Sequence, residues 1–431
     1  MKLLFFLTFL IFYSNTVYAS SDLLFFLDSA FKNNPKLNAE RQKLKATEQN
    51  INISKSEFLP SISIVGSVDG TNSTNRTNQS GANLPEISTD TESKKISIDQ
   101  KVFQGFEGYN SLKKSKLEVI KAKYSLRDIE QDTLYQAANA YFDFIYKKKS
   151  SNFNLENVSL FERQVETDSV RLQKGEITLT DLAQSESSLA GATANLISAK
   201  TVLLTARTNF ERIIRTSVPE TINENFVLKV NLPTNLAQAL EISKKNNPKL
   251  LVAKIDYEIS EKEVNIEKAK LSPSASINYS KSKNDDFSSS IDRTDQETVK
   301  ATVSWPIIRG GKNYSSIKKS KFKREESNLI LNDTENEIKT ETTNAWSVYQ
   351  SAISVLNATK AQVKAAEIAN EGITLEYNSG SKRTTIEVIQ SRTLLLGAKI
   401  ANAEAEKELV LSKFKLLAIL GNLKLENINN S

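Results

Sequence analysis

Two stretches of the chain are copies of one pattern. Asn33-Asn34-Pro35-Lys36-Leu37 recurs as Asn246-Asn247-Pro248-Lys249-Leu250, at an offset of 213 residues. Further along, Gly175 corresponds to Gly380 at an offset of 205 residues, so one connecting segment is shorter in the second copy. Because both copies must adopt the same local structure, the duplication restricts the fold to architectures built from two equivalent units.

The duplication divides the chain into consecutive segments. Residues 20–215 form the first structural repeat, residues 216–234 link it to the second repeat at 235–421, and residues 422–431 form a C-terminal tail. Glycine and proline are scarce, at 13 and 8 of 431 residues. This scarcity predicts few turns and long elements within each repeat.

Residues 1–19 have the pattern of a secretory signal peptide. Leu3–Tyr13 is uncharged and follows Lys2, and Val17-Tyr18-Ala19 offers small residues to a signal peptidase. The uncharged run has eleven residues, whereas a membrane-spanning helix needs roughly 20. No later apolar stretch is expected to reach that length, so any membrane passage of the mature chain would use strands.

The composition of the chain excludes several classes of function. The formal charge of +6 comes from basic and acidic residues that are mixed along the chain, a pattern typical of solvated helix faces and not of nucleic-acid binding. The chain contains no cysteine and no histidine. The lack of cysteine excludes lipid attachment, disulfides and thiolate metal sites. Without a nucleophile motif or a phosphate loop, neither an enzymatic activity nor a cofactor is predicted.

Each repeat contains a pair of segments in which apolar residues alternate with Ser, Thr or Asp. The predicted strands cover residues 61–69, 95–103, 273–281 and 297–306. This alternation is typical of barrel strands between lipid and water, although surface hairpins on a soluble helical protein would have the same pattern. The polar stretches Asp69–Glu92 and Lys281–Asp295 are predicted external loops. Since known barrels need about eight or more strands, four per chain predict an oligomer, and three copies would supply twelve.

Each repeat then contains a long helical hairpin. The predicted helices cover residues 107–172, 180–214, 312–377 and 384–420, with a glycine turn inside each pair. At ~1.5 Å per residue the longer helices span on the order of 100 Å. Large residues recur every seven positions in the return helices, with a row of small residues between them, which predicts antiparallel coiled-coil packing. Periodicity alone leaves an ordinary coiled-coil rod as the alternative.

Three motifs point to a family. They are Asn-Pro-Lys-Leu after the first helix of each repeat, Trp305-Pro306-Ile307-Ile308-Arg309-Gly310-Gly311, and Tyr377-Asn378-Ser379-Gly380 before Arg383-Thr384-Thr385-Ile386-Glu387-Val388. With these motifs the predicted mature chain resembles, over its whole length, the TolC family of outer-membrane efflux proteins. The resemblance implies a mainly α fold with a transmembrane β part, in which a homotrimer places a twelve-stranded barrel on a twelve-helix periplasmic tunnel. Residues 216–234 and the tail would join an equatorial collar.

The resemblance also implies a gate where the helical hairpins converge. Thr180 and Asp181 of the first hairpin would face Tyr377 and Arg383 of the second, and these links would hold the tunnel closed. A partly exposed ion pair between Asp181 and Arg383 is worth only about 0 to 1 kcal/mol. Such a lock could therefore open.

By the same resemblance, three copies of Glu387 would form an acidic ring that binds cations at the constriction. Gln390 lies one helical turn later, where the best-known family member has a second acidic ring. No permanent metal site is predicted, only cation block at the Glu387 ring. The alternative is that Asp181, Arg383 and Glu387 are solvated charges at helix ends, the two carboxylates favouring the positive N-terminal ends of their helices.

Together these features predict a passive exit duct in the outer membrane, in contact with its lipid, for drug efflux or type I protein secretion. An inner-membrane transporter of the ABC or RND type and a periplasmic membrane-fusion adaptor would dock on the hairpin tips at Gly175 and Gly380 and open the duct. The alternative is a periplasmic adaptor or structural coiled-coil protein without a pore.

Overall fold

The computed structural model describes residues 22–219, 222, 230–288, 291–380 and 383–428. The predicted signal peptide lies outside the described residues, as does part of the predicted linker. The chain divides into two compact units. The first unit takes the described residues up to Asn38, then Glu130–Glu241 and the chain from Glu341 onward, and the second takes Ala39–Ile129 and Ile242–Thr340.

Most of the described chain is helical. In chain order the helices are α1 (Asp22–Asn33), α2 (Pro35–Ser56), α3 (Glu107–Gln173), α4 (Leu179–Ile214), α5 (Leu236–Asn246), α6 (Pro248–Ala269), α7 (Lys312–Asn378) and α8 (Thr385–Ile419). Helices α3 and α7 each have 67 residues, and α4 and α8 have 36 and 35. These four helices begin and end within one residue of the predicted bounds, because no proline and few glycines interrupt them.

The duplicated Asn-Asn-Pro motif begins a helix in both repeats. The Asn34 Oδ1 accepts a hydrogen bond from the Leu37 amide at 3.1 Å, and the Asn247 Oδ1 accepts one from the Leu250 amide at 3.2 Å. Proline follows each asparagine at the first helical position, where its missing N–H would have had no partner in the helix. Sequence identity between the repeats thus gives identical helix starts.

Four long strands of the second unit form one antiparallel sheet. They are β1 (Ser61–Ser73), β4 (Ile87–Gln104), β5 (Ser274–Ser288) and β6 (Ile291–Ser304); two short strands, β2 (Arg76–Thr77) and β3 (Asn83–Leu84), lie between β1 and β4 along the chain. The sheet has the order β1-β4-β5-β6, and β2 pairs with β3 in a separate short ribbon. Within the described residues, β1 and β6 pair on one side only, so the sheet has two free edges.

The register of the sheet separates two kinds of side chain. The row Ile62–Ile98–Tyr279–Val299 crosses all four strands, and the neighbouring row is Ser63–Ser97–Ser280–Thr298. Because successive residues of a strand point to opposite faces, these rows lie on opposite faces. At these rows one face is therefore apolar and exposed, with Ile62 67% and Val299 74% exposed, and the other is lined with hydroxyl groups. Two residues further along, the first face also carries Lys281 and Glu297.

The strands are longer than predicted. Most of Asp69–Glu92 and Lys281–Asp295 was expected to form external loops, but most of both stretches is paired strand. Cross-strand ion pairs explain the error, as between the Lys281 Nζ and the Glu297 Oε1 at 2.6 Å. Opposite charges on facing strands stabilise pairing, whereas charged residues in a sequence without known partners indicate a solvated loop.

The core of the first unit combines residues of α1, α3, α4 and α8. The ring centroid of Phe26 lies 5.1 Å from that of Phe210 and 5.8 Å from that of Tyr141. The described part of the C-terminal tail packs into the same cluster through Leu423, whose amide donates to the Gln131 Oε1 at 3.2 Å. The polar residue at a core position of α3 thus has a structural partner in the tail.

Helix α4 corrects one expectation. Among the described residues, Leu179–Ile214 is the one helix that is long and apolar enough to cross a membrane by length and composition, although no apolar stretch after the signal peptide was expected to reach that length. Its rows of Leu and Ala, seven residues apart, leave few charges in the middle of the helix. This is weak evidence for a membrane span, because helices that pack in protein cores have the same composition.

Candidate gate at the hairpin turns

Both long hairpins reverse direction at a glycine. Helix α3 ends at Gln173 and Gly175 follows with a φ of 76°, and α7 ends at Asn378 and Gly380 follows with a φ of 77°. This left-handed conformation is unfavourable for any residue with a Cβ. A Cβ added at either glycine would meet no atom within 4 Å, so the backbone conformation, and not space, requires glycine here.

The return helices α4 and α8 begin with the same arrangement of hydrogen bonds. Thr178 and Thr384 are the N-caps, and their hydroxyls accept from the amides of Asp181 and Glu387. In return, the Asp181 Oδ2 accepts from the Thr178 amide at 2.9 Å and the Glu387 Oε2 accepts from the Thr384 amide at 2.8 Å. These reciprocal bonds satisfy helix-end N–H groups. The threonine N–H is the main reason why the pKa of Asp181 and that of Glu387 are lowered.

Arg383 lies beside acidic groups of its own hairpin. Its Nε donates to the Glu376 Oε2 at 2.5 Å, and its Nη1 donates to the Glu387 Oε1 at 2.9 Å. Since Thr384 engages the other oxygen of Glu387, both oxygens of this carboxylate have partners within the chain. The charge of Glu387 is thereby compensated, which weakens it as a cation ligand. The side chains are partly exposed, so each ion pair is worth about 0 to 1 kcal/mol.

Tyr377 occupies the interior of the first unit. It is 2% exposed, and its hydroxyl donates to the Asp168 Oδ1 at 2.6 Å and lies 3.0 Å from the Thr385 Oγ1. Asp168 is fully buried and also accepts from the Ser185 hydroxyl at 2.5 Å and from the Gln164 amide at 2.9 Å. Burial, and then the hydrogen bond to Asp168, raise the pKa of Tyr377. The phenol therefore stays protonated and remains a donor.

The structure brings together only part of the predicted gate. Among the described residues of one chain, no hydrogen bond or ion pair joins Asp181 to Tyr377 or Arg383, and Tyr377 contacts Asp168 instead. Thr180 is exposed beside Asp181. The Asp181 carboxylate is hydrogen-bonded to Thr178, the N-cap of α4. This agrees with the alternative in which Asp181 stabilises the end of a helix. Links between copies of the chain stay a prediction.

Comparison with known protein families identifies relatives that match both the hairpins and the strands. The family described as Outer membrane efflux protein matches residues 26–214 and 239–422, which include both strand pairs and both hairpins. The chain belongs to this family. The resemblance inferred from the three sequence motifs is thereby confirmed.

Individual members of the outer membrane efflux protein family align over most of the chain. The outer membrane efflux protein BepC of Brucella suis biovar 1 (strain 1330) is 27% identical over 407 residues, which cover 93% of this chain and 86% of BepC. The outer membrane protein TolC of Salmonella enteritidis is 20% identical over 424 residues, which cover 96% of this chain and 84% of TolC. The crystal structure of the Campylobacter jejuni CmeC outer membrane channel matches with a TM-score of 0.81 at 14% identity, covering 93% of this chain and 85% of CmeC.

Membership of the outer membrane efflux protein family confirms three predictions. The protein belongs to the outer membrane, it takes part in transport, and it is not an enzyme. The fold likeness to CmeC confirms the combination of long helices with a sheet.

The remaining predicted site residues of this efflux protein are exposed. Gln390 lies on the surface of α8, one turn beyond Glu387. Gly380 borders a cleft of about 520 Å³ at the hairpin turns. The cleft is lined by Glu166, Thr167, Val170, Arg171, Lys174, Glu176, Asn378 and Gly380. Charges of both signs thus surround the turn predicted to receive a partner.

Asp168 is not among the site residues predicted from the sequence. This residue follows the buried Phe161 by seven positions on α3, so the heptad spacing alone predicts that it faces the core. A carboxylate at a core position is unfavourable unless it is hydrogen-bonded. An aspartate at a position predicted to face the core was therefore a usable signal for a buried contact. Its partner Tyr377 is 209 residues away, which no local pattern shows.

Proposed function

We propose that three copies of this efflux protein form a passive exit duct, with a twelve-stranded barrel in the membrane and twelve long helices in the periplasm. The observation that supports this most directly is a four-stranded sheet with one apolar face and two free edges. Backbone groups at such edges cannot remain unpaired in lipid, and four strands are too few to close. Pairing β1 of one copy with β6 of the next around a threefold axis would remove both edges.

The helices support the same assembly. Each chain contributes α3, α4, α7 and α8, so three copies would supply the twelve long helices of a tunnel. Large apolar side chains remain exposed on α7, among them Ile368 at 64% and Leu375 at 63%. A neighbouring copy would cover such residues, as helices of a coiled coil cover one another.

The hairpin turns would form the periplasmic gate. In the assembly, Thr180 and Asp181 would face Arg383 of a neighbouring copy, and three Glu387 side chains would surround the constriction. Tyr377 would instead act within its own subunit, where it is buried. The pairs that Arg383 makes are weak, so a protein that binds the tips could displace them. We propose that a periplasmic membrane-fusion adaptor and an inner-membrane transporter, of the ABC or RND type, dock there for drug efflux or type I protein secretion.

Conductance tests the proposal. Purified protein reconstituted into planar lipid bilayers should give discrete channels, and its mass in detergent by light scattering should equal three subunits. A periplasmic adaptor or a structural coiled-coil protein would give no channels. Absence of conductance from protein that is folded and trimeric would overturn the duct, and a monomer would overturn the barrel.

A further inference from the structure

The fully buried Asp168 connects three helices. Gln164 and Asp168 both belong to α3, Ser185 belongs to α4, and Tyr377 lies near the end of α7. The Ser185 and Gln164 contacts remain within the first hairpin, at 2.5 and 2.9 Å. The Tyr377 hydroxyl, at 2.6 Å, joins the second hairpin to the first. One carboxylate thus ties the two hairpins of a subunit together.

Both partners of this contact retain a hydrogen bond when it breaks. Asp168 keeps its bonds from Ser185 and Gln164, and Tyr377 keeps the Thr385 hydroxyl at 3.0 Å within its own hairpin. A buried polar group that loses every partner is strongly unfavourable, but a group that loses one of several is much less so. The contact is therefore suited to opening and closing.

Arg171 holds the tyrosine ring in place from the side of α3. Its guanidinium lies 4.4 Å from the centroid of the Tyr377 ring, and its Nη1 donates to the Tyr377 carbonyl at 3.4 Å. Its Nε also donates to the Glu176 Oε2 at 3.1 Å, at the turn after α3. The ring position is thus coupled to the exposed tip of the first hairpin.

We propose that Asp168 is the positioning residue that holds the end of α7 against α3 and α4, and that the contact between Asp168 and Tyr377 breaks when the gate opens. The proposal rests on the proposed duct function. It differs from the links expected from the sequence, because the acceptor for Tyr377 is Asp168 and not the helix-capping Asp181. The contact lies within one subunit.

A double-mutant cycle tests the contact. The variants are Asp168→Asn, Tyr377→Phe and the double variant, with Glu186→Gln, at an exposed position of α4, as the matched control on the same hairpin. Single-channel recording should show that each single variant raises the ratio of open to closed time by roughly tenfold, and that the double variant adds little further. Additive effects, or a Glu186→Gln effect equal to that of Asp168→Asn, would overturn the assignment.

A distance measurement separates this proposal from the duct function. The chain has no cysteine, so cysteines at the exposed positions Gln173 and Ser379 can place two spin labels on one subunit, diluted among unlabelled subunits. Double electron–electron resonance should show a longer or broader distance between the two labels in Asp168→Asn and Tyr377→Phe than in the control Glu186→Gln. An unchanged distance overturns the role of Asp168 even if channels form, whereas a changed distance without channels supports the contact and overturns only the duct.

Discussion

Replacing Val299 by lysine tests whether the apolar face of the sheet contacts lipid. Val299 lies in the row Ile62–Ile98–Tyr279–Val299 and is 74% exposed in the single chain. The matched control is Thr298→Lys, one residue earlier in β6, which lies in the hydroxyl row of the opposite face. Both variants add the same charge to the same strand, so only the face differs.

The free-energy cost expected for Val299→Lys depends on how deep its row lies in the membrane. Lysine on the lipid face of a barrel costs about 2 to 4 kcal/mol at the membrane midplane and less near the interfaces. The neighbouring row of the apolar face already contains the Lys281 and Glu297 ion pair, so we take the lower value of about 2 kcal/mol per copy. Three copies would then cost about 6 kcal/mol, or roughly a 10⁴-fold change in the assembly equilibrium.

Folding into lipid vesicles measures this difference. We would measure the fraction of protein that urea does not extract from the vesicles and that migrates as a trimer in a mildly denaturing gel. This fraction should fall sharply at every urea concentration for Val299→Lys and should match that of wild type for Thr298→Lys. Equal behaviour of the two variants would refute the orientation of the sheet. A larger loss for Thr298→Lys would indicate that the hydroxyl face is the one that lipid contacts.

Three further predictions concern the hairpin turns. Arg383→Gln should strengthen block of the pore by divalent cations, because it frees one oxygen of Glu387. Glu387→Gln should weaken the block. If both variants are blocked equally in planar bilayers, Glu387 does not lie at the constriction. The double variant Asp181→Ala with Arg383→Ser should raise single-channel conductance, and an unchanged value would count against the gate assignment. Because their pKa values are lowered from 3.8 and 4.5, Asp181 and Glu387 should stabilise the fold fully above those values and lose this contribution as the pH falls through the lowered pKa. In an acid titration followed by circular dichroism, the double variant Asp181→Asn with Glu387→Gln should lose less stability on acidification than the wild type. Parallel titration curves for the two proteins would contradict the prediction.

The helices could be predicted from sequence because their signals are local. A long stretch without proline, closed by glycine at Gly175 or Gly380, determines where each helix ends regardless of what packs against it. The two capping boxes are also local, since Thr178 and Thr384 lie three residues before their acidic partners. Such features depend on the chain's own backbone and need no knowledge of the neighbours.

The strand ends and the tyrosine contact could not be predicted in this way. Lys281 looks like a loop residue until Glu297 is placed opposite it on the next strand. Likewise, the first hairpin carries Asp168 and Asp181 as possible acceptors for Tyr377. Only the packing of α3 decides that Asp168 faces inward and takes the contact, while Asp181 caps α4. Those choices depend on pairing and packing between distant segments.

The free edges of β1 and β6 also bear on biogenesis. An unpaired strand edge of this length is a template for pairing with another extended chain. If the proposed trimer forms, a newly exported subunit stays adhesive until its neighbours cover both edges. The yield of the proposed trimer should then depend on how quickly copies meet at the bilayer, and less on how stably one copy folds. Excess synthesis should consequently fill the periplasm with clumped chains and not with soluble, properly folded single copies.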